Sequence, residues 1–195
     1  LNGGIIDASK RYVSGIYNIE SGNVNITGGN IIVNGILDNS SGIIKVEGGQ
    51  VSSINFDHNS KANLIVKNSA DIDTISGYAG NVTITIEGGN IGNIEVAGTT
   101  EISGGIINSI DNNGGGKLNI TNGTIKATNG YGIRNYGIAT ITGGSITSTI
   151  AQAIDNFGTL TLGVNDINVS KTVPSIVGKT YGVKNTGTFN FYDGV

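Results

Sequence analysis

Charged residues recur at wide intervals in the C-terminal half of the chain, each directly after an isoleucine or valine. The series runs Glu95, Asp111, Arg134, Asp155 and Lys184, and its sign alternates from Asp111 onward. If its members lie on adjacent parallel strands, Asp111 and Asp155 are roughly 9–10 Å apart. That separation is near the upper end of the range for the two carboxyl groups of an inverting glycosidase. Asp111, Asp155 and Arg134 are therefore the catalytic candidates if the protein is an enzyme.

Arg134 argues against this enzymatic hypothesis. A guanidinium between two carboxylates favours their ionised forms, so we expect Asp111 and Asp155 to be poor general acids. The alternative is a compensated ladder of surface charges, in which each exposed pair contributes about 0–1 kcal/mol. The sequence therefore favours a protein without catalytic residues. Asp111, Asp155 and Arg134 remain the catalytic candidates of the alternative, enzymatic hypothesis.

Three long connections in the C-terminal part of the chain predict a binding site beside these charges. They end in Tyr131, Gln152 and Tyr181, each three residues before a member of the charged series. Aromatic faces next to a few fixed polar groups suit a sugar. The predicted ligand-binding residues are Tyr131, Arg134, Gln152, Asp155, Tyr181 and Lys184. The alternative is that the tyrosines only cover long loops and shield the end of the fold.

An internal repeat positions these side chains. Thr121–Ile141 and Thr142–Leu162 carry the same residue at eight positions at an offset of 21. Nine such units, called rungs here, begin at Gly3, Gly28, Gly48, Asn68, Gly88, Gly104, Asn122, Gly143 and Val164. Within a rung, apolar residues alternate with polar ones, which is typical of a strand with one buried face.

Three apolar columns align when the rungs are superposed. The first column is Ile6, Ile31, Val51, Ile91, Ile107, Ile125, Ile146 and Ile167. In the rung that begins at Asn68, Asp71 interrupts this column and the isoleucine, Ile72, comes one residue late. The middle column is Ile16, Ile36, Ile54, Ile75, Ile94, Ile110, Ile133, Ile154 and Val183. The last column is Ile26, Val46, Val66, Ile86, Ile102, Ile120, Ile141, Leu162 and Phe191.

This pattern predicts an all-β fold: a single-stranded, right-handed parallel β-helix in one domain, residues 1–195. It would have about nine rungs of roughly 20 residues with three strands each, because one rung cannot bury its apolar face alone. Right-handed crossovers are the general rule for parallel strands. Two residues after the middle column, an asparagine corner ladder is predicted at Asn18, Asn112, Asn135, Asn156 and Asn185.

The segments "ITGGSI…AIDNFGTLTL" and "ITNGTI…GIRNYGIATI" resemble the repeats of pectate-lyase-like parallel β-helices. They are most similar to the repeats in large surface proteins and adhesins of Gram-positive bacteria. The resemblance implies a non-enzymatic, extracellular cell-surface module that serves as a stiff spacer or adhesin and binds glycans or a host surface protein. The alternative that the resemblance implies is an enzyme, a polysaccharide lyase or glycoside hydrolase of the pectate-lyase-like class. Outward threonines on the last strand also raise an ice-binding protein as a third hypothesis.

The amino-acid composition argues against several other classes of function. The net charge is −3 with scattered lysines and arginines, which argues against nucleic-acid binding. The chain has no cysteine, so a cysteine-based zinc site is excluded. We predict no metal, no cofactor and no membrane insertion, and a monomer. The chain contains no methionine, and we interpret it as an internal piece of a longer protein.

Overall fold

The computed structural model describes residues 2–7, 14–32, 35–165 and 173–192. The described residues form strands and no helix, so none of them belongs to an apolar helix long enough to cross a membrane. The strands are β1 (Asn2–Asp7), β2 (Ile16–Glu20), β3 (Val24–Ile26), β4 (Gly28–Ile32), β5 (Ile36–Ser40), β6 (Ile43–Val46), β7 (Gln50–Phe56), β8 (Asn63–Val66), β9 (Asp71–Gly77), β10 (Thr83–Ile86), β11 (Asn90–Val96), β12 (Thr99–Ile102), β13 (Ile106–Asn112), β14 (Lys117–Ile120), β15 (Thr124–Ala127), β16 (Ile133–Asn135), β17 (Ile138–Ile141), β18 (Ser145–Ser148), β19 (Ile154–Asn156), β20 (Thr159–Leu162), β21 (Ser175–Gly178), β22 (Val183–Asn185) and β23 (Thr188–Phe191).

The strands pair in parallel as a right-handed β-solenoid. The first stack follows the order β1-β4-β7-β9-β11-β13-β15-β18-β21. The middle stack contains β2 and β5, the C-terminal halves of β7, β9, β11 and β13, and then β16, β19 and β22. The last stack is a nine-stranded sheet that runs from β3 to β23. The predicted fold is confirmed.

The core consists of the three predicted columns. The middle column pairs residue by residue from Ile16 to Val183, and the last column from Ile26 to Phe191. From Ile36 to Ile154 the side chains of the middle column are almost fully buried. Each rung therefore packs its apolar face against the rungs above and below, and the stack supplies the core that no single rung contains.

The prediction of three strands in every rung is wrong for four rungs. In β7, β9, β11 and β13, only two residues separate the first column from the middle column, and one continuous strand spans both. The prediction of nine rungs is also too high, because the solenoid has about seven turns.

In the rung that begins at Asn68, the first column passes through Ile72, one residue later than in the fixed alignment, as the sequence predicts. Ile72 pairs with Val51 and Ile91, so the column is continuous and Asp71 points outward. The corner before Ile72 is one residue longer than the corresponding corners of the adjacent rungs. Asn68 accommodates the extra residue by adopting a left-handed backbone conformation, with a φ of 53°. Ile167, predicted for the last rung, lies outside the described residues, and Ile176 pairs with Ile146 in that column.

The asparagine ladder is confirmed over four consecutive rungs. The amide nitrogen of Asn112 donates to the side-chain oxygen of Asn135 at 2.7 Å, Asn135 donates to Asn156 at 2.7 Å, and Asn156 donates to Asn185 at 2.6 Å. Asn18 lies outside this run and donates to Asp38 instead. The ladder fixes the corner directly after β13, β16, β19 and β22, the strands that carry the predicted site.

Candidate functional site

The charged series forms one outward column on the middle stack. Asp111 pairs with Arg134, Arg134 with Asp155, and Asp155 with Lys184 on successive strands. Each step along the column is one parallel-strand spacing, about 4.8 Å. Side chains of opposite charge therefore alternate along the solenoid axis, as the sequence predicts.

Tyr131, Arg134 and Asp111 form a compact cluster at the N-terminal end of this column. The Tyr131 hydroxyl donates to Oδ2 of Asp111 at 3.2 Å. The Arg134 guanidinium carbon lies 4.0 Å from the centre of the Tyr131 ring, and its Nε is 3.9 Å from Oδ1 of Asp111. The cation–π contact and the ion pair hold the guanidinium over the ring, so one face of Tyr131 is already occupied.

Asp155 differs from the surface charge that the sequence predicts, because only 6% of the residue is exposed. Its Oδ1 lies 3.7 Å from Nζ of Lys184 and accepts no hydrogen bond. The Lys184 side chain is about half exposed, at 49%. The carboxylate therefore lies below the surface, and the ammonium group is the more accessible charge of the pair.

Burial raises the pKa of Asp111 above its ordinary value, since desolvation disfavours the carboxylate. The Arg134 charge and the Tyr131 hydrogen bond lower this pKa, and the Glu95 charge raises it, but desolvation outweighs them. Arg134 therefore acts in the expected direction on the pKa of Asp111, but desolvation reverses the net shift. Burial and the Asp111 charge likewise raise the pKa of Tyr131.

The raised pKa of Asp111 predicts a specific pH dependence. The folded protein binds this proton more tightly than the unfolded chain, whose carboxyl titrates near pH 3.8. Stability relative to the Asp111→Asn variant should therefore be greatest below pH 3.8 and fall as pH rises through the folded pKa. Melting temperatures of both proteins across this pH range measure the difference. A difference that grows with pH would contradict the assignment.

The backbone brings the ends of the three long connections into neighbouring rungs. The Gly132 amide donates to the Ala153 carbonyl at 3.0 Å, and the Ala153 amide donates to the Tyr181 carbonyl at 3.0 Å. Tyr131, Gln152 and Tyr181 thus belong to consecutive rungs beside the charged column. Tyr181 is 60% exposed, whereas Gln152 and Tyr131 are half-buried. A shared binding site for the six residues stays a prediction, and this geometry is compatible with it.

Two further aromatic residues stack on each other beside the asparagine ladder. The rings of Tyr136 and Phe157, each one residue past the asparagine ladder, lie 4.9 Å apart at an interplanar angle of 12°. They pack around the corner from the charged column and are partly exposed.

One buried polar cluster was not predicted from the sequence. Asp38 is fully buried and occupies the ladder position two residues after Ile36. Its Oδ1 accepts from Asn18 at 2.7 Å and from the Ser40 hydroxyl at 2.8 Å, and its Oδ2 accepts from the Ser60 hydroxyl at 2.5 Å. An aspartate in an asparagine column is the signal that could have identified it. The three donors make the cluster a structural junction between rungs.

No protein-family model matches the chain, and comparison with curated proteins and with solved structures found no significant match.

Proposed function

We propose that this protein is a non-enzymatic module of a bacterial cell-surface protein, serving as a stiff spacer and as an adhesin that binds glycans. The resemblance of its repeats supports the extracellular location and the adhesive role. The observation that carries the proposal is the compensated column, in which Arg134 neighbours Asp111 and Lys184 neighbours Asp155. Each carboxylate has a cation beside it, an arrangement that favours a binding surface over acid–base chemistry.

The accessible groups of the site suit a saccharide. Tyr181 offers an exposed ring for the apolar face of a sugar, and Lys184 and Gln152 offer donors for its hydroxyl groups. Asp155 contributes indirectly, because its Oδ1 is buried and lies 3.7 Å from Nζ of the accessible Lys184. Tyr131 contributes mainly by holding Arg134 in place, because its ring and hydroxyl are engaged.

A polysaccharide panel, with and without calcium, tests binding and cleavage together. We expect retention of one or more glycans on the immobilised protein without release of new reducing ends. Tyr181→Ala should weaken that binding about tenfold, the loss of roughly 1.4 kcal/mol, and leave the melting temperature nearly unchanged. Tyr131→Ala should weaken it too but also lower the melting temperature, because the contacts with Arg134 and Asp111 are lost.

Tyr78→Ala is the matched control. Tyr78 is 65% exposed and lies on an earlier rung, outside the proposed site. Binding that falls equally in Tyr78→Ala and Tyr181→Ala would contradict the assignment of the site, and failure to bind any glycan would contradict the glycan-binding role.

The enzymatic alternative has one observation in its favour, the raised pKa of Asp111 beside the Tyr131 hydroxyl. A carboxyl group that holds its proton more tightly is a better general acid at neutral pH. Reproducible depolymerisation that Asp111→Asn or Asp155→Asn abolishes would replace the binding module by a carbohydrate-active enzyme.

A further inference from the structure

We propose that a groove on the outer face of the first stack binds a short, extended peptide segment with a basic group at one end and an acidic group at the other. The groove has a volume of about 300 Å³ and crosses β9, β11, β13 and β15. The groove lies on the first stack, at the N-terminal parts of β11 and β13, whereas the proposed glycan site lies on the middle stack, and the two sites share no residue.

Two columns of outward side chains form the walls, and the backbone of the first apolar column forms the floor. One wall carries Asp71, Asn90 and Ile106. The opposite wall carries Asp73, Asn108 and Lys126, with a gap at Gly92. A Cβ atom at Gly92 would collide with the carbonyl oxygen of Asp73, so close packing of the strands excludes a side chain there. The missing side chain opens the middle of the groove.

The groove is dipolar. Asp71 and Asp73 lie at the end formed by β9, and Lys126 lies at the end formed by β15. Three strand spacings separate these ends, roughly 14 Å. All three side chains are exposed, and within the described part of the chain none of them forms an ion pair. Lys45–Glu47 and Lys67–Glu87, by contrast, pair at 2.8 and 2.9 Å. The charges of the groove are thus free to bind a ligand.

The middle of the groove combines amides with one apolar side chain. Asn108 is held in place because its amide donates to Asn93 at 3.2 Å and its oxygen accepts from the Thr128 backbone amide and hydroxyl, both at 3.3 Å. Asn90 is exposed and can bond to a peptide backbone, and Ile106 is 53% exposed. These groups suit a chain of amides with a small apolar side chain at its centre.

A peptide fits these features better than a saccharide. An extended peptide advances about 3.3 Å per residue, so four to five residues span the distance between the charged ends. The opposite charges at those ends require a ligand that carries both signs. No aromatic ring lines the groove, whereas sugar sites commonly use aromatic faces.

Peptide titrations of the isotope-labelled full chain, followed by backbone amide chemical shifts, test the proposal. The probe is Lys-Ala-Val-Ala-Glu with blocked ends, at millimolar concentration. We expect shifts confined to residues 71–73, 90–92, 106–108 and 124–126. Peptides with lysine at both ends or glutamate at both ends should bind about tenfold more weakly, since one attractive charged contact is replaced by a repulsive one.

Charge reversal provides the sharper test. Lys126→Glu should invert the preference, so that the peptide with two lysines binds better than the original probe. Lys117→Glu changes the same charge on the last stack and should leave the preference unaltered. Shifts spread over other strands, an unchanged preference in Lys126→Glu, or no shifts at millimolar peptide would each overturn the proposal. None of these results bears on glycan binding, because the two sites share no residue.

Discussion

Replacing Ile120 by aspartate should destabilise the fold by on the order of 4 kcal/mol, the cost of an unpaired charge in an apolar core. Ile120 is fully buried in the last column, between Ile102 and Ile141 on the adjacent strands. No cation is placed to compensate a carboxylate at this position, because the neighbouring side chains of the column are aliphatic. Chemical denaturation followed by circular dichroism measures the change.

Thr140→Asp is the matched control for this prediction. Thr140 lies on β17, directly before the core residue Ile141, but its side chain points outward between Asn119 and Thr161. An aspartate there stays hydrated and should cost less than about 1 kcal/mol. Equal denaturation midpoints for the two variants would show that the assignment of inward and outward faces is wrong.

The second large effect is expected for Asn135→Asp in the asparagine ladder. Asn135 is fully buried, and its amide nitrogen donates to Asn156 at 2.7 Å and to the Thr159 carbonyl at 3.0 Å. Asn135 also donates to the Gly137 carbonyl at 3.3 Å. Aspartate has the same shape but no donor, so its carboxylate would face three acceptors in a buried site. We expect a loss of about 3 kcal/mol at neutral pH, with partial recovery in acid, where a protonated carboxyl regains a donor.

Asn185→Asp makes the same chemical change at an exposed rung of the ladder. Its side-chain oxygen would still accept from Asn156, and only the bond to the Gly187 carbonyl would be lost. The cost should stay below about 1 kcal/mol. If Asn185→Asp proves as destabilising as Asn135→Asp, or if acid does not rescue Asn135→Asp, the amide ladder does not stabilise the corner in the way described.

The apolar columns could be predicted from sequence because their signal is local. A residue such as Ile54 stands in a period-two pattern at a constant distance from glycine-rich corners, and parallel stacking brings equivalent positions together. The same logic placed Asp111, Arg134, Asp155 and Lys184 on one column. The register of strand pairing can therefore be predicted from the repeat alone.

Burial and close contact outside the columns could not be predicted in this way. Asp155 is covered by neighbours in adjacent rungs, so its environment depends on their side-chain conformations. Asp38 depends on Ser60, which is 22 residues away in sequence and lies outside the apolar columns. The Gly92 gap follows from the approach of two backbones that no spacing rule describes. One extra corner residue before Ile72 shifts the first column by one position relative to a fixed alignment, and the isoleucine itself reveals the shift.

The order of strands along the first and last stacks follows the order of the chain. Tension applied through the first and last rungs would therefore act along the hydrogen bonds between strands. These bonds would break one rung after another, whereas a shearing force would load all the bonds of a sheet at once. Each rung of about 20 residues that peels away releases up to roughly 70 Å of extended chain, in exchange for about 4.8 Å of stack height. A solenoid built in this way would yield stepwise under load, and in the proposed spacer role this would limit the force that reaches a bound ligand.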